Sequence, residues 1–354
     1  MTGSQPQIRV SVIMASFNGA HHLPAAIESV RAQPLAEWEL LIADDASTDG
    51  SAAIAARFAA QDPRIRLIQN EANMGPAASR NRALAEAKGA WLAIMDSDDI
   101  MHPARLKTLI AAAERDGAGI VADDLIVFYE DQSRRSHGFL PASLAGRAFW
   151  IDATRFVRSN TFYAGGAGLG YLKPIIRADL LAQASCRYDE TLTIGEDYDF
   201  ILRLLLAGLK YRAVPRQLYY YRKHGDSISH RLPGEAARAV LDAGRRALAA
   251  LADAAPELVS AMRTRNRSLE TVLEFNAVIE ALKSRRLVAA VARILRRPGL
   301  IPLLREPFSA GLSRLLARLS SIAASRPAFG CARGHGATGA AASLRAPAGR
   351  IVKP

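Results

Sequence analysis

The chain has 354 residues, enough for one large domain with an appendage or for two domains, and half of them are hydrophobic, so a sizeable core can form. Its two cysteines, Cys186 and Cys331, are too few and too far apart for a disulfide framework or a cysteine metal cage, and they fit a reducing compartment. The formal net charge of +12 is uneven: residues 231–354 hold 21 basic and 8 acidic side chains, whereas residues 1–230 hold 25 and 26, so the last third alone invites an anionic partner, a membrane or a nucleic acid.

The polar first residues lead directly into a strand-like run, which reads as a chain without a signal peptide. The sequence holds no stretch of about 18 uninterrupted apolar residues, so no bilayer-spanning helix is expected. Residues 8–14 (IRVSVIM) form a β-branched apolar run expected to be a buried strand. Helical spacing follows at Leu23, Ile27 and Val30. Residues 38–43 (WELLIA) are a second strand, ending at Asp44 and Asp45 in a turn-rich segment. An alanine-rich helix (51–61), a third strand (65–69), a turn at 73–76 and a helix starting near Pro76 come next. Residues 91–95 (WLAIM) are the fourth strand, which stops at Asp96-Ser97-Asp98-Asp99. Residues 103–116 read as helix and 119–129 mostly as strand.

Strands alternating with helices of this length imply βαβ units and a parallel sheet, whose ligands sit beyond the carboxyl ends of the strands. The polar clusters fall there: Ser16 to Asn18 after strand one, Asp44 and Asp45 after strand two, Asp96 to Asp99 after strand four. Beyond residue 150 the alternation weakens. Residues 165–170 (GGAGLG) read as a flexible loop. An acidic helix start at 195–199 (GEDYD) precedes FILRLLLAG, and 211–214 and 218–222 look like two short strands. Residues 235–322 are helical in pattern, and 326–354 have the composition of a disordered tail.

Three carboxylates within four residues repel one another, and a divalent cation removes that cost. Oxygen ligands suit Mg²⁺ or Mn²⁺. Alternatively, the cluster is a solvated acidic turn ahead of a helix. Asp44 and Asp45 either accept hydrogen bonds from a nucleobase or ribose, or belong to a helix-capping loop. Arg80 either grips phosphate, fixes an acid, or makes a surface salt bridge. Glu196 and Asp197 either gain from the helix dipole or include a general base.

In order, VIMASFNGA, IADDASTDGS, NMGPAASRNRALAEAKG, WLAIMDSDD, GEDYDFILRLLLAG and YYYRKHGDSIS resemble the family 2 glycosyltransferases over residues 8–230. GYLKPIIRADLL is similar to exopolysaccharide glucosyltransferases of the succinoglycan type. The resemblance implies a GT-A fold, a Rossmann-like mixed α/β sheet flanked by helices, as the catalytic domain (1–230), with a basic helical extension (231–325) and a tail (326–354). It implies an inverting transfer of a sugar, glucose above all, from a UDP-sugar to a glycan or lipid-linked saccharide, with Mn²⁺ or Mg²⁺. By motif position, Ala15, Ser16, Asn18, Asp44, Asp45, Arg80 and Asn81 match nucleotide-binding positions, though the family often has Pro at Ala15. Asp96 and Asp98 match the DxD motif, Asp98 being the direct metal ligand. Asp99 lies near the donor sugar, Asp197 is the general base, and Glu196 and His224 lie on the acceptor or diphosphate side.

Basic amphipathic stripes at Leu287, Val291 and Ile294, and at Leu312, Leu315, Leu316 and Leu319, either lie on an anionic membrane or pack on the catalytic domain. The expected location is cytoplasmic, peripheral on the inner membrane face, with no nucleic acid partner. Among rival readings, a dehydrogenase lacks its Gly-rich fingerprint, a nucleotidyltransferase has no need of Asp197, and a basic binding protein leaves the acidic strand ends unexplained.

Overall fold

The computed structural model describes residues 7–304, apart from 166, 226–231 and 252–253. One compact unit, Met1–Pro298, holds the sheet and its flanking helices. Of the second unit, Gly299–Pro354, residues 299–304 are described, and they include the 3-10 turn Pro302–Leu304. The stripe at Leu312 to Leu319, Cys331 and the segment 326–354 lie outside the described residues, as do the first six residues and the DSIS end of the tyrosine-rich motif.

The first half alternates as its periodicity dictates. β1 (Val10–Ser16), α1 (Leu23–Arg31), β2 (Trp38–Asp44), α2 (Ser51–Gln61), β3 (Ile65–Gln69), α3 (Gly75–Glu86) and β4 (Trp91–Asp96) follow in order. β1, β2 and β4 are buried along almost their whole length, as their largely apolar runs require of strands covered on both faces. They pair in parallel with β3 in the spatial order β3-β2-β1-β4, and the register sets Ser16 opposite Asp44 and Ala15 opposite Asp96. The carboxyl ends of three strands therefore finish level. At the opposite end, Gly89 allows a close approach: a Cβ there would lie 2.4 Å from the Ser11 amide nitrogen.

β5 (Ile100–Met101), α4 (Arg105–Asp116), β6 (Ile120–Tyr129), β7 (His137–Gly138), β8 (Phe149–Ile151) and α5 (Ala153–Ser159) lead into the second half. There, β9 (Ile175–Arg177), α6 (Ala178–Gln183), α7 (Glu196–Leu206) and β10 (Tyr211–Lys223) complete the sheet. Its path continues β4-β9-β6-β10-β5, with β9 antiparallel to both neighbours. The sheet is mixed, as the GT-A resemblance implies, and not wholly parallel, as alternation alone suggests.

The two short strands expected at 211–214 and 218–222 are one strand, β10, with register shifts on either side of Gln217. The irregularity has a chemical cause. The Leu218 amide donates to Asp123 Oδ2 at 3.0 Å, and the other oxygen of this buried acid faces Arg105, whose side chain is also fully buried. The GGAGLG loop is likewise tied down where it is described: the Gly170 amide donates to Asn160 Oδ1 at 3.1 Å.

Three further helices, α8 (Gly234–Ala249), α9 (Pro256–Lys283) and α10 (Leu287–Arg296), follow. α9 is not a detached appendage: Leu258, Ala261 and Met262 lie in the main hydrophobic core. α10 is different. Ala290 is buried, but Leu287, Val288, Val291 and Leu295 are exposed, Val288 at 86%. No described helix is long and apolar enough to cross a membrane.

Candidate active site

The level ends of β1, β2 and β4 present two acidic groups with different partners. Asp45 is buried among neutral donors. Its Oδ1 accepts from Asn70 Nδ2 (2.7 Å) and the Met74 amide (2.8 Å), and its Oδ2 accepts from the Gly75 amide (2.8 Å). It holds the start of α3, whose first N–H groups have no partner within the helix. Asp44 Oδ2 accepts from the Ser47 amide, while Asp44 Oδ1 and Ser16 Oγ are buried without a partner. Asn18 adopts φ 48°, and its Oδ1 accepts from the Thr48 amide, stitching the loop after β1 to the loop after β2.

The second group faces cations. Arg80, 5% exposed on α3, donates from Nη2 to Asp96 Oδ1 (2.9 Å) and from Nη1 to Glu196 Oε1 (2.6 Å), and Nη1 lies 3.4 Å from Asp197 Oδ1. Lys173 Nζ, also buried, lies 2.7 Å from Asp96 Oδ2 and 2.9 Å from Asp197 Oδ2. Three acids and two bases thus close into one network, joining the end of β4 to the start of α7. Arg80 is buried and fixes acids here, and is not part of a surface salt bridge. Burial alone would raise the Asp197 carboxyl, but Arg80 and Lys173 outweigh it and hold it at about 2.

α7 begins where it does because Gly195 is left-handed (φ 83°), and a Cβ there would press within 3.0 Å of Val240. Asn81 is directed away from Asp96 and Asp197 and donates instead to Glu190 Oε1 at 2.8 Å. It clamps the approach to α7, donating to the Tyr188 carbonyl and accepting from the Tyr188 amide. Tyr198, beside Asp197, stacks on Phe156 and receives the buried Arg265 guanidinium of α9 over its ring at 3.5 Å, so the helical extension braces the site.

Asp98 and Asp99 stand apart from this network. Asp98 Oδ2 meets His224 Nε2 at 3.0 Å. Asp99 is fully buried; its Oδ1 accepts from the Arg222 amide and its Oδ2 has no partner. Burial, with the charges of Asp98 and Asp96, pushes its carboxyl well above the usual range. Carboxylate oxygens of Asp96, Asp98 and Asp99 lie within 4.8 Å of one another, a donor set of hard oxygens that fits Mg²⁺ or Mn²⁺. Since Arg80 and Lys173 engage both Asp96 oxygens, Asp98 and Asp99 are the better-placed donors.

Sequence reasoning left Lys173 and Arg222 unassigned. A lone lysine between Leu172 and Pro174, ahead of the apolar β9, is the available signal for the first. Nothing local marks Arg222, whose Nε donates to the Asp98 carbonyl at 2.7 Å.

The comparisons with known proteins meet this geometry. The model of glycosyl transferase family 2 matches residues 11–178, which include the ends of β1, β2 and β4, Arg80 and Lys173. A relative, the succinoglycan biosynthesis protein ExoO of Rhizobium meliloti, is 34% identical over 87% of each chain. The chain belongs to glycosyltransferase family 2. Solved structures agree on the fold of this glycosyltransferase. Staphylococcus aureus TarS 1–349 with UDP-GlcNAc superposes with a TM-score of 0.57 over 77% of this chain and 72% of that one, at 20% identity. The mannosyltransferase PcManGT of Pyrobaculum calidifontis, with GDP-Man and Mn²⁺, gives 0.53 over 82% and 81%, at 17% identity. The fold is GT-A.

Proposed function

We propose that the glycosyltransferase is metal-dependent and inverting, and that it moves a sugar, glucose by resemblance, from a UDP donor to a saccharide or lipid-linked saccharide acceptor in exopolysaccharide or cell-surface polysaccharide synthesis. The observation that carries the reading is the juxtaposition of two acids with separate environments: Asp98, beside the orphaned Asp99 oxygen, and Asp197, across the Lys173–Arg80 bridge. The first suits a cation and a diphosphate, the second a proton acceptor. TarS in complex with UDP-GlcNAc supports uracil as the base, and PcManGT with Mn²⁺ supports a divalent cation.

In this reading Ala15, Ser16, Asn18, Asp44 and Asp45 line the nucleotide, with Ser16 Oγ and Asp44 Oδ1 as the buried polar atoms still free to contact it. Asp45 is committed to the start of α3 and acts by shaping the pocket. Asn81 holds the loop before α7. Asp98, with Asp96 and Asp99 alongside, would hold Mn²⁺ or Mg²⁺, which when bound neutralises charge on the departing diphosphate. The acceptor hydroxyl attacks the anomeric carbon, the bond from that carbon to the phosphate oxygen breaks, and Asp197 takes the hydroxyl proton as UDP leaves with inversion. A carboxyl held at about 2 is a weak base. Donor phosphates draw Arg80 and Lys173 away from Asp197, raising its basicity only when the donor is bound. His224 and Glu196 border the diphosphate and acceptor sides through Asp98 and Arg80 respectively.

The catalytic part is assigned to residues 1–230 and the helical extension to the residues from 231 onward. The exposed face of α10, flanked by Arg285, Arg286, Arg293, Arg296 and Arg297, is assigned to the inner surface of an anionic membrane, which also brings the enzyme to a lipid-linked acceptor.

The test is a screen of nucleotide sugars with Mn²⁺ or Mg²⁺, scoring nucleotide release with and without acceptor extract. UDP-glucose is expected to turn over in wild type and not in Asp98→Ala. Absence of binding and turnover with every donor sinks the reading. For the membrane, sedimentation with anionic vesicles at low salt is expected to fall in Val288→Glu/Leu295→Glu, and unchanged sedimentation removes α10 from the assignment.

A further inference from the structure

A second set of metal-binding side chains, outside the carboxylate and cation network, gathers between the loop that leaves β1 and the end of β6. His21 Nε2 lies 3.4 Å from Glu130 Oε1, and His22 Nδ1 lies 3.6 Å from the same oxygen. All three ligand atoms are within 4.8 Å of one another. Two adjacent imidazoles thus each turn a nitrogen toward one carboxylate oxygen. Here the backbone arranges it: the His22 amide donates to the Gly19 carbonyl at 3.0 Å, and the Glu130 amide donates to the Lys223 carbonyl at 3.0 Å, so both sides are fixed by the fold. The imidazole of His22 is 11% exposed and packs edge-to-face with His21 and at a tilt against His224, each with ring centroids 4.7 Å apart.

We propose that His21, His22 and Glu130 form a site for a borderline transition-metal ion, zinc(II) above the others, separate from the oxygen-donor site at Asp98. Two physical arguments carry it. First, a tetrahedral ion with bonds of about 2.1 Å holds its ligand atoms about 3.4 Å apart, and the two measured edges are 3.4 and 3.6 Å. Second, two imidazole nitrogens and one carboxylate select zinc or its neighbours over Mg²⁺, whereas three carboxylates do the reverse. The His21 side chain is 83% exposed, so solvent reaches the cluster from that side. Among the described residues, Arg222 is the cation that approaches Glu130, at 3.7 Å, and it is held elsewhere: its Nε donates to the Asp98 carbonyl and its guanidinium lies over Phe128. The ion joins the loop after β1 to the end of β6. It also fixes the ring of His22 against His224, the partner of Asp98.

The experiment is a calorimetric titration of the untagged full-length chain with zinc chloride in millimolar magnesium, with cobalt(II) substitution read by its visible absorption. One zinc per chain is expected at micromolar affinity, with the intense cobalt spectrum of four-coordinate geometry. His21→Ala and Glu130→Gln should each weaken binding at least about tenfold. His21 is exposed, so its replacement leaves the fold intact; a matching melting curve checks this. Asp98→Asn should retain the zinc. Failure to bind zinc at micromolar concentration, binding unchanged in His21→Ala, or loss of binding in Asp98→Asn each overturns the assignment. None of these outcomes depends on which sugar is transferred.

Discussion

The two acidic strand ends of this molecule dispose of their charge in opposite ways. At the end of β2, Asp45 is stabilised by neutral donors, two backbone amides and a side-chain amide, all belonging to the start of α3 and the turn before it. At the end of β4, Asp96 is stabilised by full charges, Arg80 and Lys173, which it shares with Asp197. Neutral donors fix a carboxylate in place and leave its charge for structure. Shared cations leave the charge exchangeable, because an incoming anion competes for the same guanidinium and ammonium groups. The difference separates a pocket that is built once from a centre that responds to its ligand.

The largest expected effect breaks the cationic side. Asp197→Asn should lower the rate of sugar transfer about 10²–10⁴-fold, the range for a lost general base, with donor binding retained. The measurement is steady-state transfer beside donor titration, which should show binding no weaker than wild type because Arg80 and Lys173 lose a competitor; retention of full activity removes Asp197 from the chemistry.

Next comes Arg80→Met, which leaves the half-buried Asp96 and Asp197 to Lys173 alone and removes the buried Glu196's partner. Breaking one partner out of a buried ion network costs about 3–5 kcal/mol, readable as a lower midpoint in urea unfolding. A loss no larger than that of an exposed pair would mean the network is solvated.

A smaller effect is expected on the neutral side. Asp45→Asn keeps the shape but turns an NH₂ group toward a backbone amide, at a cost of about 1–2 kcal/mol, as for a lost helix cap. Because the partners carry no formal charge, that cost should be nearly independent of salt. Strong salt dependence would erase the contrast between the two strand ends.

The smallest effect is in pH. Asp197 is depressed to about 2 in the folded protein, below the unfolded carboxylate. Its contribution to stability is therefore fully present above the unfolded value of about 3.9 and is lost as the pH falls through the folded value. The stability gap between wild type and Asp197→Asn should accordingly shrink as the pH is lowered from 4 toward about 2. A gap that grows on acidification reverses the sign and refutes the ion pairing.

Much of the candidate site was legible in the chain. Largely apolar runs ending in polar or acidic residues located the ends of β1, β2 and β4, because strands covered on both faces are apolar over most of their length. The glycine before Glu196 marked the start of α7. Lys173 was not legible as a partner of Asp96 and Asp197, since 76 residues separate it from one and 23 from the other. β9 was missed for a related reason: three residues between two neighbours show no period of their own. β10 was read as two strands because Pro215 to Gln217 interrupt its apolar pattern. The buried Asp123 carboxylate supplies the Leu218 amide with the partner the ladder does not.

The sequence by itself determined the alternation of strands and helices, the family motifs, the acids at the strand ends and the basic character of the last third, because each is written in local periodicity or composition. Only the tertiary structure decided which acid meets which base. The choice between Asp45 as a structural anchor and Asp96 as a member of a cationic network depends on what α3, β9 and α7 bring within about 3 Å, the range over which hydrogen bonds and close ion pairs act. The packing of α9 against Tyr198, and the meeting of His21, His22 and Glu130, were decided in the same way, by contacts across more than sixty residues that no local pattern encodes.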